Sequence, residues 1–133
     1  MCVRWWSRFK DSSHQCDALP TDTPPARFYV PDPFFIECTN ILWKYVRRFD
    51  YPAEAAQQDV VDLTRLPLQS VSTAALASDA LPLAVEYGST TYDAAYVALA
   101  RRLSLPLVTA DDALVRRFVE TDHSFRSLGD WPT

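Results

Sequence analysis

Strand-like and helix-like segments alternate along the chain from Phe28 onward, and this alternation restricts the available folds more than any other feature. Apolar runs typical of strands cover 28–30, 66–71, 105–109 and 127–128. Apolar residues at helical spacing cover about 34–49, 52–65, 73–87, 91–103 and 112–120. The pattern predicts an α/β fold with a mostly parallel sheet, in which ligands bind beyond the carboxyl ends of the strands.

A few residues set the predicted helix ends. Asp32 is expected to be the N-cap of the first helix, with Pro33 at its first helical position. Pro82 should kink the third helix or delay its start, and Gly88 should end it.

Two predicted helices have apolar faces that are expected to turn inward. In the second helix these residues are Ala55, Val60, Val61 and Leu63. In the fourth helix they are Tyr92, Ala95, Tyr96, Leu99 and Leu103.

The scarcity of glycine and cysteine excludes several kinds of site. The two glycines, Gly88 and Gly129, lie far apart, whereas loops that bind phosphate groups need clustered glycines. The three cysteines, Cys2, Cys16 and Cys38, form no C-x-x-C pair. With only two histidines, a structural zinc site is not expected. An odd, sparse cysteine set favours the reducing cytoplasm.

The charge restricts how the chain could bind nucleic acid. Its formal net charge is −4 at pH 7, whereas proteins that bind nucleic acid by bulk electrostatics are usually basic. Such a function would need local arginines, or metal ions that reverse the sign of an acidic site. Arginine pairs at 47–48, 101–102 and 116–117 fall late in predicted helices. They suit either the helix macrodipole or a rim that contacts phosphates. No apolar run approaches the roughly 20 residues that span a bilayer, so no membrane association is expected.

Three acidic residues lie beside apolar surface. Glu37 borders the apolar face of the first helix, between Phe34 and Ile41. Asp93 lies in the first turn of the fourth helix, and Asp111 follows an apolar strand. Acids in such places are costly unless they are paired or coordinated. A shared Mg²⁺ or Mn²⁺ would remove their repulsion and could activate water at a phosphate.

Each acid also has a purely structural explanation. Asp93 stands three residues after Thr90, as the acid of a capping box does. Asp111 and Asp112 suit the N-cap and first turn of the last helix. Both interpretations therefore stay open at the level of single residues.

Aromatic residues are numerous, with four tryptophans and six tyrosines. Trp43, Tyr45, Tyr92 and Tyr96 stand at helical spacing, which favours core or interface positions over platforms for stacking bases. Those that are exposed would suit a homodimer contact or a groove for a partner helix.

Three stretches resemble motifs of PIN-domain proteins in order and spacing. They are VPDPFFIECTNILWK at 30–44, TYDAAYVALA at 91–100 and LVTAD at 107–111. The likeness covers roughly 28–128 and is nearest to VapC-like toxins of bacterial toxin–antitoxin pairs.

The resemblance implies a three-layer α/β/α fold and a cytoplasmic ribonuclease that uses Mg²⁺ or Mn²⁺. It further implies an RNA substrate and a cognate antitoxin that neutralises the toxin. By position, Glu37, Asp93 and Asp111 match the family's catalytic and metal-binding acids, and Asp112 matches an accessory acid. Asn40 and Thr109 match polar positions that support those acids.

The N-terminal part departs from the family pattern. PIN-domain proteins begin with a short apolar strand that ends in an aspartate ligand, and neither Asp11 nor Asp17 follows such a strand. We therefore divide the chain into a divergent segment, 1–27, and a PIN-like domain, 28–133, that lacks this strand. One carboxylate fewer should weaken metal binding. The alternative expectation is thus an inactive, truncated PIN-like domain that serves as a binding or relic protein.

Overall fold

The computed structural model of the chain describes residues 28–119 and 125–127, and its elements follow the predicted alternation. They are β1 (Phe28–Pro31), α1 (Phe34–Arg48), α2 (Ala53–Thr64), β2 (Leu68–Val71), α3 (Thr73–Tyr87), α4 (Thr91–Leu103), β3 (Leu107–Thr109), α5 (Asp112–Phe118) and β4 (Phe125–Ser127). The segment 1–27 lies outside the described residues, and so does the expectation that it lacks the first strand. Two predicted element ends, Glu120 and Leu128, also lie outside them. None of the described helices is long and apolar enough to cross a membrane.

Every described strand pairing is parallel, as the alternation predicted. β1 pairs with β2 from Phe28 opposite Leu68 to Pro31 opposite Val71. β3 pairs with β4, so the described strands form two sheets of two strands each. Helix α4 contacts both β1 and β3 and packs most extensively against α3. Parallel neighbours need crossover helices, because a tight turn can only reverse the chain. Helices α1 and α2 lie between β1 and β2 in the chain, and α5 lies between β3 and β4.

Two groups of buried side chains form the core. One joins β1, α1 and α2 and includes Cys38 and Leu63, which are 1% and 0% exposed. The other joins α3, α4 and α5 and includes Val97 and Phe118, both fully buried. Alanines on α4, including Ala94, leave room for α3 to approach closely.

The predicted N-cap of α1 is wrong. Pro33 occupies the cap position with nearly helical angles, φ −66° and ψ −14°, and no side chain caps the helix. The Asp32 carboxylate instead accepts a hydrogen bond from the backbone amide of Thr73, at 3.1 Å. The Asp32 amide donates to the carbonyl oxygen of Val71, at 2.9 Å. Asp32 therefore links the end of β1 to the start of α3, because the parallel pairing brings these points together.

Helix α3 begins where the apolar pattern does, so Pro82 does not delay its start. The Ser72 hydroxyl caps the helix by accepting from the amide of Ala74. The helix continues through Pro82 to Tyr87. Gly88 ends it, as predicted, with a left-handed φ of +61°. Residues with a Cβ adopt this backbone conformation only at a cost in free energy.

Two residues predicted to face inward are exposed. Val61 of α2 is 41% exposed and Tyr92 of α4 is 68% exposed. Ala56 and Ala94 are buried instead. The side of a helix that becomes buried depends on which neighbouring elements pack against it. Helical spacing alone predicts the centre of the buried face only to within about one residue.

Candidate active site

Glu37 lies in the first turn of α1 and is half-buried. Its backbone amide donates to the carbonyl oxygen of Pro33, at 2.9 Å, which forms the first hydrogen bond of the helix. A carboxylate in a first turn is favoured by the positive end of the helix dipole. The side chain stands at the edge of the apolar face, next to the buried Cys38, where the sequence placed it.

Tyr96 of α4 holds this carboxylate from across the fold. Its hydroxyl donates a hydrogen bond to Oε2 of Glu37 at 2.9 Å, between partly buried groups that are 59 residues apart in the chain. Helical spacing predicts an inward-facing or interface position for Tyr96, but not this hydrogen bond. The available signal was its position three residues after Asp93, which puts both residues on one face of the helix.

Asp93 is half-buried in the first turn of α4. Its amide donates to the Thr90 hydroxyl at 3.1 Å, which is the predicted cap. Side chains of a helix lean toward its N-terminus, so the ring of Tyr96 leans toward the turn that carries Asp93. The hydrogen bond of Tyr96 therefore joins Glu37 to α4 one turn after Asp93.

Asp111 has the structural role that the sequence also allowed. One oxygen, Oδ1, accepts from the amides of Ala113 at 2.9 Å and Leu114 at 3.1 Å and so caps α5. Thr109, 5% exposed at the end of β3, fixes this turn because its hydroxyl accepts from the amide of Asp111 at 3.0 Å. Asp112 is the first residue of α5 and is exposed.

Asn40 is exposed one turn after Glu37 and lines an open cavity with it. The cavity has a volume of about 460 Å³, and its described lining consists of Ile36, Glu37, Thr39, Asn40 and Trp43. Trp43 is 56% exposed, so of the two expected positions, core or interface, the structure excludes the core. The cavity thus has apolar walls, one amide and one carboxylate.

Residues 28–119 and 125–127 form no group of three or more acidic, histidine or cysteine side chains that could hold a metal ion. Mg²⁺ does not require such a group, because it keeps several waters and is usually held by one or two carboxylates with substrate phosphates. Glu37 and Asp93 are oxygen donors on two helices that the Tyr96 hydrogen bond joins. Their chemistry suits a hard divalent cation of this kind.

A family model described as PIN domain matches residues 5–119. The chain belongs to the PIN-domain family. The match begins inside the segment 1–27 that the sequence analysis set apart, and it contains Glu37, Asp93 and Asp111.

One relative of this PIN domain is Ribonuclease VapC3 of Pyrobaculum aerophilum, which is 38% identical over 84 residues. That alignment spans 62% of this chain and 64% of the relative, somewhat less than two thirds of its length. The crystal structure of PAE2754 from the same organism matches with a TM-score of 0.64 at 23% identity. It covers 95% of this chain and 82% of that one, and it supports the PIN-like α/β fold.

Proposed function

We propose that this PIN domain is a metal-dependent endoribonuclease of the VapC toxin type, which hydrolyses RNA phosphodiester bonds. The observation that carries the proposal is the hydrogen bond from Tyr96 to Glu37, because it joins the two helices that supply Glu37 and Asp93. Family membership and the likeness to a relative named as a ribonuclease support it.

Glu37 and Asp93 would hold Mg²⁺ or Mn²⁺. When bound, such an ion activates water and neutralises charge on the reacting phosphate. Tyr96 keeps the Glu37 carboxylate in one orientation through its hydrogen bond to Oε2. Asp111 and Asp112 would add negative charge at the start of α5, with Thr109 holding the turn. Asn40 would hydrogen-bond the substrate beside Glu37.

Cleavage of single-stranded RNA by the full chain tests the proposal. We expect cleavage with Mg²⁺ or Mn²⁺, none with EDTA, and none by Glu37→Gln or Asp93→Asn. Glu54→Gln is the matched control, since Glu54 is an exposed acid in the first turn of α2. Equal activity of Glu37→Gln and Glu54→Gln would remove Glu37 from the site.

The alternative function, an inactive PIN domain that only binds, is favoured by the lack of a three-acid group among the described residues. Calorimetric titration with Mn²⁺ separates the two. If the protein is an active enzyme, Mn²⁺ binding should release heat, and Glu37→Gln should abolish this heat. An inactive binding protein should bind RNA, give no Mn²⁺ signal and leave the RNA intact.

We also propose that the chain acts in the cytoplasm as a toxin and is neutralised by an antitoxin. Leu81 and Val85 lie one turn apart on α3 and are 58% and 75% exposed, so they could contact the antitoxin or a second copy of the chain. Expression should arrest bacterial growth, whereas Asp93→Asn should not. Light scattering of the wild type and of Leu81→Ser with Val85→Ser shows whether a homodimer forms there.

A further inference from the structure

The exposed side of α1 carries an aromatic residue, an amide and three cations in one continuous strip. Asn40, Trp43, Lys44, Arg47 and Arg48 are all exposed. Trp43 and Lys44 lie three and four residues after Asn40, and Arg47 and Arg48 lie four residues after Trp43 and Lys44. Side chains at these spacings are neighbours on a helix surface. These five residues, called the α1 strip here, begin one turn after Glu37.

The cations of the α1 strip are available to a ligand. Two other cations of the described part form ion pairs, Arg65 with Asp62 and Arg102 with Asp79. Lys44, Arg47 and Arg48 form no ion pair or side-chain hydrogen bond with residues of that part. Three neighbouring positive charges on a chain of net charge −4 make a local site for an anion.

The order of groups along α1 favours a nucleic acid strand over a protein partner. A docked protein helix needs a continuous apolar face, which Lys44, Arg47 and Arg48 interrupt. The cavity that Glu37 lines also has the indole of Trp43 and the amide of Asn40, but no cation, in its described lining. It therefore suits an uncharged base, while the cations beyond it suit phosphates.

We propose that the α1 strip binds single-stranded RNA, with one base stacked on Trp43 and the flanking phosphates held by Lys44, Arg47 and Arg48. The proposal rests on the proposed function and adds to it the surface that holds the RNA strand. Along the helix axis, Trp43 lies about 9 Å and Arg48 about 16 Å from Glu37. The strand thus runs from the C-terminal end of α1 toward the candidate active site. A base paired in a duplex has no free face for Trp43.

Binding is measured without cleavage, by fluorescence anisotropy of a labelled single-stranded oligoribonucleotide and of its duplex, in EDTA. The wild type should prefer the single strand. Trp43→Leu should weaken its binding about tenfold, whereas Trp43→Phe should keep most of it, because only an aromatic face stacks on a base. Arg47→Gln with Arg48→Gln should reduce the slope of log affinity against log salt by about 1.4. The matched control, Arg101→Gln with Arg102→Gln, removes the same charge from the end of α4 and should leave the slope unchanged.

Equal binding by Trp43→Leu and Trp43→Phe, or equal slopes for the two arginine double variants, would overturn the proposal. So would equal affinity for duplex and single strand. Urea unfolding of each variant identifies losses caused by misfolding. Binding that follows the expected pattern without cleavage in Mg²⁺ supports the α1 strip and contradicts only the nuclease. Cleavage with unchanged binding in all variants supports the nuclease and contradicts only the strip.

Discussion

Replacing Tyr96 with Phe removes one hydroxyl and keeps the ring. That hydroxyl donates to Oε2 of Glu37 at 2.9 Å, between partly buried groups. A hydrogen bond to a charged group contributes about 1.5–3 kcal/mol, and access to water reduces this figure. We therefore expect Tyr96→Phe to lower the free energy of unfolding by about 1 kcal/mol. For a domain of this size, the melting temperature should fall by about 4 °C.

Tyr92→Phe is the matched control, because Tyr92 lies on the same helix and is 68% exposed. Its effect on stability in urea should stay within about 0.5 kcal/mol. A double-mutant cycle then isolates the bond. Glu37→Met keeps the length of the side chain and removes the acceptor, so it should couple to Tyr96→Phe by about 1 kcal/mol and to Tyr92→Phe by nearly zero.

Tyr96→Phe also tests whether the hydrogen bond to Glu37 contributes to metal binding. Tyr96→Phe should weaken Mn²⁺ binding by about tenfold, as loss of a group that orients a ligand does, and Tyr92→Phe should not. Equal stabilities of the two variants, together with zero coupling to Glu37, would show that the bond does not join the helices. The observation that carries the proposed function would then be lost.

Three further predictions concern stability in urea. Asp111→Ala should lower the free energy of unfolding by about 1–2 kcal/mol, because it removes the cap on α5. Asp111→Asn keeps an acceptor and should lower it by less than about 0.5 kcal/mol. Equal losses for the two variants would show that the charge of Asp111 matters more than its capping hydrogen bonds. Gly88→Ala should cost about 1–2 kcal/mol because of the left-handed backbone alone, since no described residue beyond the chain neighbours comes within 4 Å of the new Cβ. A neutral result would contradict that conformation. Phe118→Ala should cost about 3–5 kcal/mol, whereas its neighbour Val119→Ala, 65% exposed, should cost little; similar losses would contradict the burial of Phe118.

Local signals in the sequence predicted the elements and several of their ends. Thr90 caps α4 and Gly88 ends α3, because capping depends on atoms within a few residues of each other. The prediction for Asp32 failed for a related reason. The Asp32 carboxylate lies near the start of α1, but it accepts a hydrogen bond from the amide of Thr73, 41 residues away, because β1 pairs with β2.

The candidate site shows the same division. Spacing and resemblance in the sequence predict Glu37, Asp93 and Asp111 as site residues. The structure gave them different surroundings: Asp111 caps α5, while Glu37 accepts a hydrogen bond from Tyr96. Exposure could not be inferred either, since Trp43 and Tyr92 follow helical spacing but face outward.

The amino-acid sequence is enough to predict which segments become helices and strands, which family the motifs resemble and which acids are candidates for chemistry. These properties follow from side-chain type, spacing and hydrogen bonds between near neighbours. Two other features become visible only in the folded chain: Glu37 meets Tyr96 across 59 residues, and Trp43 shares an exposed strip with three cations. Such contacts depend on how whole helices pack, and a shift of one residue in a helix's phase would change every one of them.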